Sequence, residues 1–329
     1  MQCIAASLVA LLLVAGSVHA QRSALRIEEA AFITIGGIEQ WVTIRGDNGR
    51  NPLLLLVHGG PADVQSPLVS TYAAYEKDFV LVQWDQRGAG RTYAKNGVAG
   101  VSAAKIIADG IDLAEHLRKR FPTQKLYLFG HSWGSVVATD MAQRRPDLFA
   151  AYIGTGQVAS WAGQVQFQFD FLKQRYKEKG DAAALAALEA IGKPDPKNVK
   201  QYFGFSRPIR QYMNASDTAW LANLMKLLDT SGETKSSIKA IGDGMNSSGA
   251  ALVEDMINED LSTNALTFRI PYYVIQGRHD LFTPTPLAEA YFNKISAPKK
   301  RLIIIEDAGH FALATHQAEV IAALKAVIR

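Results

Sequence analysis

The stretch Leu126-Tyr127-Leu128-Phe129-Gly130-His131-Ser132-Trp133-Gly134-Ser135 decides the fold. Its first four residues are the continuous apolar run of a strand buried on both faces. A Gly-x-Ser-x-Gly string follows at once, and residues 135–145 read as a helix that stops before Pro146. A sharp strand-to-helix turn at this point strains the serine and exposes its hydroxyl, and the flanking glycines let the two elements approach each other. The five-residue string alone would arise by chance in roughly one chain in ten of this length. The strand before it and the helix after it are what make it specific.

Upstream, residues 31–35 and 40–44 are short β-like runs around Gly36-Gly37, an entry hairpin. Residues 52–57 and 79–84 are apolar strands, 102–120 form an amphipathic helix opened by Ser102, and 150–153 form another strand. The alternation then breaks. Residues 157–267 are helical in pattern, interrupted at Pro194, Pro196 and Pro208 and by the Gly/Ser/Asn-rich stretch 242–249. Strands return at 272–276 and 302–305, each followed by a helix. Two strand-helix blocks around a helical insertion predict an α/β fold, a mostly parallel doubly wound sheet with an inserted helical cap. The core is expected in residues 21–156 and 268–329 and the cap in 157–267.

Serine at its ordinary pKa is a poor nucleophile and needs a base, which needs orienting in turn. Asp280, in Gln276-Gly277-Arg278-His279-Asp280, and His310, in Asp307-Ala308-Gly309-His310, each lie just past a strand. Carboxyl ends of strands are where open α/β sheets place their sites, and the order Ser, Asp, His is the one a strand-turn-helix serine uses. Ser132, Asp280 and His310 are therefore the expected catalytic residues. His279 and His316 compete as bases, and Glu306 and Asp307 compete as acids. His58-Gly59-Gly60-Pro61 follows the strand Leu53-Leu54-Leu55-Leu56-Val57, so the Gly60 N–H, with Gly59 as fallback, and the Trp133 N–H are the expected oxyanion donors. Asp85-Gln86-Arg87-Gly88-Ala89-Gly90-Arg91 lacks the Walker lysine and the dinucleotide spacing, so it reads as a turn scaffold beneath the site.

The 329 residues are 48% hydrophobic and 20% charged, an ordinary composition for a globular chain, with a formal charge of +4. The basic residues are dispersed, the longest cluster being Lys299-Lys300-Arg301, and no nucleic-acid partner is expected. Residues 4–18 are apolar and precede Ser17-Val18-His19-Ala20, the pattern of a signal peptide cleaved after Ala20. The run is too short to span a bilayer, so the expectation is a periplasmic or secreted protein with no stable membrane insertion after cleavage. The single cysteine, Cys3, falls in this segment, which excludes disulfides and cysteine-ligated metal from the mature chain.

Taken together, HGGP, DQRGAGR, GHSWGS and the loops bearing Asp280 and His310 resemble the proline iminopeptidase (prolyl aminopeptidase) family of α/β-hydrolases. The likeness covers residues 50–155 and 268–329. It implies an α/β-hydrolase fold and removal of an N-terminal residue from short peptides, without metal or cofactor. In that family cap carboxylates hold the substrate's free amine. Glu254, Asp255, Glu259 and Asp260 are available near the end of the cap, and Glu254 and Asp255 are taken as the clamp. The chain departs from the family at Ala62, where a further glycine is usual, and at His131, where many members have glycine. A carboxylesterase or lactonase would use the same triad without an amine clamp, and would suit the cap aromatics Trp161, Phe167, Phe169, Phe171 and Trp220. The sequence assigns no oligomeric state.

Overall fold

The computed structural model describes residues 25–195 and 197–328, so the expected signal segment lies outside the described residues. Among the described residues eight strands form one sheet: β1 (Ile27–Ile35), β2 (Ile38–Gly46), β3 (Leu53–Val57), β4 (Val80–Trp84), β5 (Leu126–His131), β6 (Ala151–Thr155), β7 (Tyr272–Gly277) and β8 (Lys300–Ile305). Their spatial order is β1-β2-β4-β3-β5-β6-β7-β8. The entry hairpin pairs antiparallel and meets β4 antiparallel, and every pairing from β4 to β8 is parallel. From β3 the chain first crosses to β4 on one side, then returns to β5 on the other. That reversal opens a crevice at the carboxyl ends of β3 and β5.

All five side chains of β3 are buried, because both faces of the sheet are covered. Leu53, Leu55 and Val57 enter one core with residues of α2 (Ala103–Arg120) and α3 (Trp133–Arg144). Leu54 and Leu56 enter the other, with Tyr72, Tyr75 and residues of α10 (Gln317–Val327). Burial of each such side chain is worth about 1.5–3 kcal/mol, which is why the run carries no alternating polar residue. Ser102 caps α2 by accepting from the Lys105 N–H. Between β4 and α2 lies the short helix α1 (Gly90–Asn96), and α9 (Thr285–Lys294) joins β7 to β8.

Among the described residues, five longer helices stand between β6 and β7, before the four-residue helix Leu261–Asn264: α4 (Trp161–Lys179), α5 (Ala182–Ile191), α6 (Val199–Ile209), α7 (Ala215–Asp229) and α8 (Lys235–Ile257). Each opens on a side chain that accepts from the N–H three residues on, namely Ser160, Asp181, Asn198, Asn214 and Thr234. They enclose an apolar cluster of their own that includes Phe169, Leu172, Phe205 and Ile209. The Gly/Ser/Asn-rich stretch 242–249 does not interrupt them and lies inside α8. Its small residues bring α8 against the turn that precedes α1. A Cβ on Gly244 would stand 2.9 Å from the Gly88 carbonyl oxygen, which accepts from the Ser248 hydroxyl at 2.6 Å.

Candidate active site

Ser132 joins β5 to α3 with φ 54° and ψ −125°. A non-glycine residue in such a region costs about 1–3 kcal/mol and persists only where its surroundings over-determine it. Here the Ser132 N–H donates to the Thr155 carbonyl at 3.0 Å, and the Ser135 N–H donates to the Ser132 carbonyl at 2.8 Å. The glycines of the motif answer to contact. A Cβ on Gly130 would lie 2.7 Å from the Gly134 carbonyl oxygen, and one on Gly134 would collide with the Val57 and His58 carbonyls.

His310 follows β8 and Asp280 follows β7, and the two meet at the carboxyl edge of the sheet. The ionised carboxylate only accepts, so His310 Nδ1–H donates to Asp280 Oδ2, at 2.9 Å. Asp280 is 2% exposed and its remaining capacity is filled. Its Oδ1 accepts from the Phe282 and Thr283 N–H groups, and its Oδ2 accepts from the Thr283 hydroxyl and the Gln276 amide. This fixes the carboxylate and, through it, the ring that leaves Nε2 free to take a proton. Burial opposes charging of the His310 ring, but the carboxylates of Asp280, Asp217 and Asp63 outweigh it and hold its pKa above the ordinary histidine value.

Ser132 and His310 both line a cavity of about 460 Å³ beneath the cap. Gly59, Gly60 and Trp133 line it as well. Trp133 is the first residue of α3, so its N–H has no acceptor within the helix. Gly59 packs so that a Cβ would lie 3.0 Å from Ser132 Cβ, and Gly60 has φ 113°, open to glycine alone. Ala62, where glycine is usual in the resembling family, takes φ 65° despite its Cβ.

The competing residues lie elsewhere. His279, Glu306 and Asp307 are exposed, and the Glu306 carboxylate pairs with Arg278. His316 precedes α10 and its ring bonds the Thr315 hydroxyl. His131 lies with its ring centroid 4.9 Å from that of His310. Burial, helped by the nearby His310 charge, drives its pKa far down and keeps it neutral. His58 is held at a pKa of about 4 by burial. Its Nε2 accepts from the Gln86 N–H and its Nδ1 faces the Gly59 carbonyl, so it braces the glycine turn.

The clamp expected at Glu254 and Asp255 is not placed at the cavity. Glu254 is exposed, and the Asp255 Oδ2 accepts from the Ala103 N–H at 2.7 Å, neutralising the open N-terminus of α2. Asp260 is likewise engaged, accepting from Ser262. Of the four cap acids only Glu259 lines the cavity, where burial and the neighbouring carboxylates of Asp140, Asp260 and Asp255 raise its pKa to about 7. A second lining carboxylate, Asp63, comes from the core, with a pKa raised by burial to about 6. Its sequence signal was the acidic residue closing His58-Gly59-Gly60-Pro61-Ala62-Asp63. Arg210, on the turn between α6 and α7, is exposed, lines the same cavity and has no ion-pair partner among the described residues. Trp161 and Trp220 line it too, whereas Phe169 packs on Phe205 inside the cap.

The DQRGAGR segment is structural. Arg87 makes a buried bidentate pair with Asp109, at 2.7 and 2.9 Å, and donates to the Gly36 carbonyl. Asp85 accepts from the Ser66 hydroxyl and the Arg91 N–H, and Arg91 reaches Glu233 of the cap.

Residues 52–317 match the family model of the alpha/beta hydrolase fold. YbaC of Bacillus subtilis, named a probable aminopeptidase, is 30% identical over 291 residues, 84% of this chain and 89% of the relative. A proline iminopeptidase of Saccharolobus solfataricus is 22% identical over 295 residues, 87% of each chain. The crystal structure of a proline iminopeptidase-related protein from Thermus thermophilus is similar with a TM-score of 0.60 at 21% identity, covering 91% of this chain and 96% of that one, a likeness of fold.

Proposed function

Because the chain belongs to the α/β-hydrolase fold family, we propose that it is a serine aminopeptidase that releases a proline-like N-terminal residue from short peptides. The observation that carries this reading is the presence of two carboxylates, Glu259 and Asp63, in the cavity that also holds Ser132 and His310. When ionised they receive the primary or secondary ammonium group of a peptide's first residue. Arg210 meets the carboxylate of a short peptide at the rim.

Ser132 Oγ attacks the scissile carbonyl while His310 Nε2 takes its proton, and Asp280 holds the imidazole tautomer and stabilises the imidazolium. The N–H groups of Trp133 and Gly60 receive the oxyanion. His310 returns the proton to the leaving amine, and the acyl group remains as an ester on Ser132. A water deprotonated by His310 then attacks that ester, and His310 passes the proton to the Ser132 oxygen as the amino acid leaves. The test is hydrolysis of a proline arylamide, its N-blocked counterpart and a short-chain aryl ester by wild type and Ser132→Ala. Preference for the free-amine substrate, lost in the variant, supports the reading; ester turnover alone replaces it with a carboxylesterase. The apolar part of the cavity wall, with Trp161, Trp220, Leu221 and Leu224, favours that second reading.

We also infer export to the periplasm or medium, which residues 4–20 support. Fractionation of cells expressing the full chain tests it, and a cytosolic product that retains Met1 overturns it.

A further inference from the structure

The loop bearing His310 is gripped from above by the cap. Asp217, in the first turn of α7, is 2% exposed, and its Oδ2 accepts from the His310 N–H at 2.6 Å. Its Oδ1 accepts from the Phe311 N–H at 3.3 Å. Beside it Asn214, which caps α7, donates its amide to the Asp307 carbonyl at 2.8 Å. Gly309 is the residue that permits this approach, since a Cβ there would collide with the Asp217 carboxylate. His310 is thus held at two ends by carboxylates from different layers, Asp280 of the core at the ring and Asp217 of the cap at the backbone.

We propose that Asp217 is a positioning residue through which the docked cap sets the geometry and proton affinity of His310. This rests on the reading of His310 as the base that serves Ser132. While ionised, Asp217 favours the imidazolium form, as do Asp280 and Asp63, and burial opposes it. Loss of the cap's grip removes one charge and both backbone acceptors together. A cap that is not seated therefore leaves a histidine that is less basic and held at the ring alone, which ties turnover to the seated state.

The experiment is the pH profile of kcat/KM for a short-chain aryl ester, which carries no amine and so does not report on the clamp. Asp217→Asn keeps the volume and one acceptor but removes the charge. The acid limb of the variant moves to lower pH, and kcat falls on the order of tenfold with KM little changed. Asn214→Ala removes one docking bond while Asp217 keeps its bonds to the His310 and Phe311 N–H groups, so the rate falls and the limb stays in place. Should Asp217→Asn not fold, Asn214→Asp, which gives up the bond to the Asp307 carbonyl, adds a carboxylate beside Asp217 and moves the limb upward. Limbs that coincide in folded Asp217→Asn and wild type, or a limb unmoved in Asn214→Asp, overturn the proposal. Ester turnover that survives Ser132→Ala overturns instead the reading beneath it.

Discussion

His310 Nδ1 lies 2.9 Å from Asp280 Oδ2, and that oxygen also accepts from the Thr283 hydroxyl at 2.7 Å. The carboxylate accepts from each of these neighbours and donates to none, so it imposes one tautomer on the ring. Asp280→Asn offers an amide in its place and inverts the tautomer. Turnover is expected to fall on the order of 10³–10⁴-fold with the fold intact, measured as kcat with circular dichroism alongside.

Glu259 and Asp63 bind an ammonium group only as carboxylates, and their pKa values are about 7 and about 6. As pH falls from 8 to 5 both become protonated. KM for a free-amine proline arylamide rises over this window while KM for an aryl ester stays level, and parallel behaviour of the two substrates would show that neither acid touches the amine.

Holding Glu259 ionised costs stability. Its pKa is raised from 4.5 to about 7 on folding, so the folded state binds protons more readily and stability declines as pH rises from about 4.5 to 7. Glu259→Gln removes this penalty. The gain is on the order of 1 kcal/mol at pH 8 after allowance for solvent screening, and it vanishes near pH 4, read from urea melts at both values. The same variant loses discrimination between free and blocked amines.

Asp255→Ala separates capping from binding. The Asp255 carboxylate serves the Ala103 N–H, so its loss is expected to cost about 1 kcal/mol of stability and to leave the free-amine preference unchanged. A changed preference would return Asp255 to the site.

Gly134→Ala places a methyl group against the Val57 and His58 carbonyls. The helix must withdraw from β3, which costs about 1–3 kcal/mol and shifts Ser132 and the Trp133 N–H away from the substrate. Activity is expected to fall more steeply than the melting temperature, and a fully active variant would show that the elbow tolerates the added bulk.

Much of this arrangement was legible in the chain. The run of leucines at 53–56 has one physical use, a strand covered on both faces, and the elbow residues have one spacing that lets a strand turn into a helix. Ser132, Asp280 and His310 could be ordered because each sits just past a strand of a parallel sheet, and strand ends are countable along the sequence. The stretch 242–249 misled because small residues also serve contact; Gly244 and Ser248 pack on Gly88 and Tyr93 within a continuous helix.

The cap acids show the limit of local reading. Glu254, Asp255, Glu259 and Asp260 fall within seven residues, and periodicity alone does not distinguish a side chain that caps α2 from one that faces the cavity. The sequence by itself determined the sheet, the elbow and the placing of Ser132, Asp280 and His310 just past their strands, because these follow from short-range spacing and burial. Only the tertiary structure decided that Glu259 and Asp63 share a cavity and that Asp217 holds the His310 backbone. Those pairings join residues from cap and core, far apart in the chain, and their charges acquire raised proton affinities only where folding has removed the water between them.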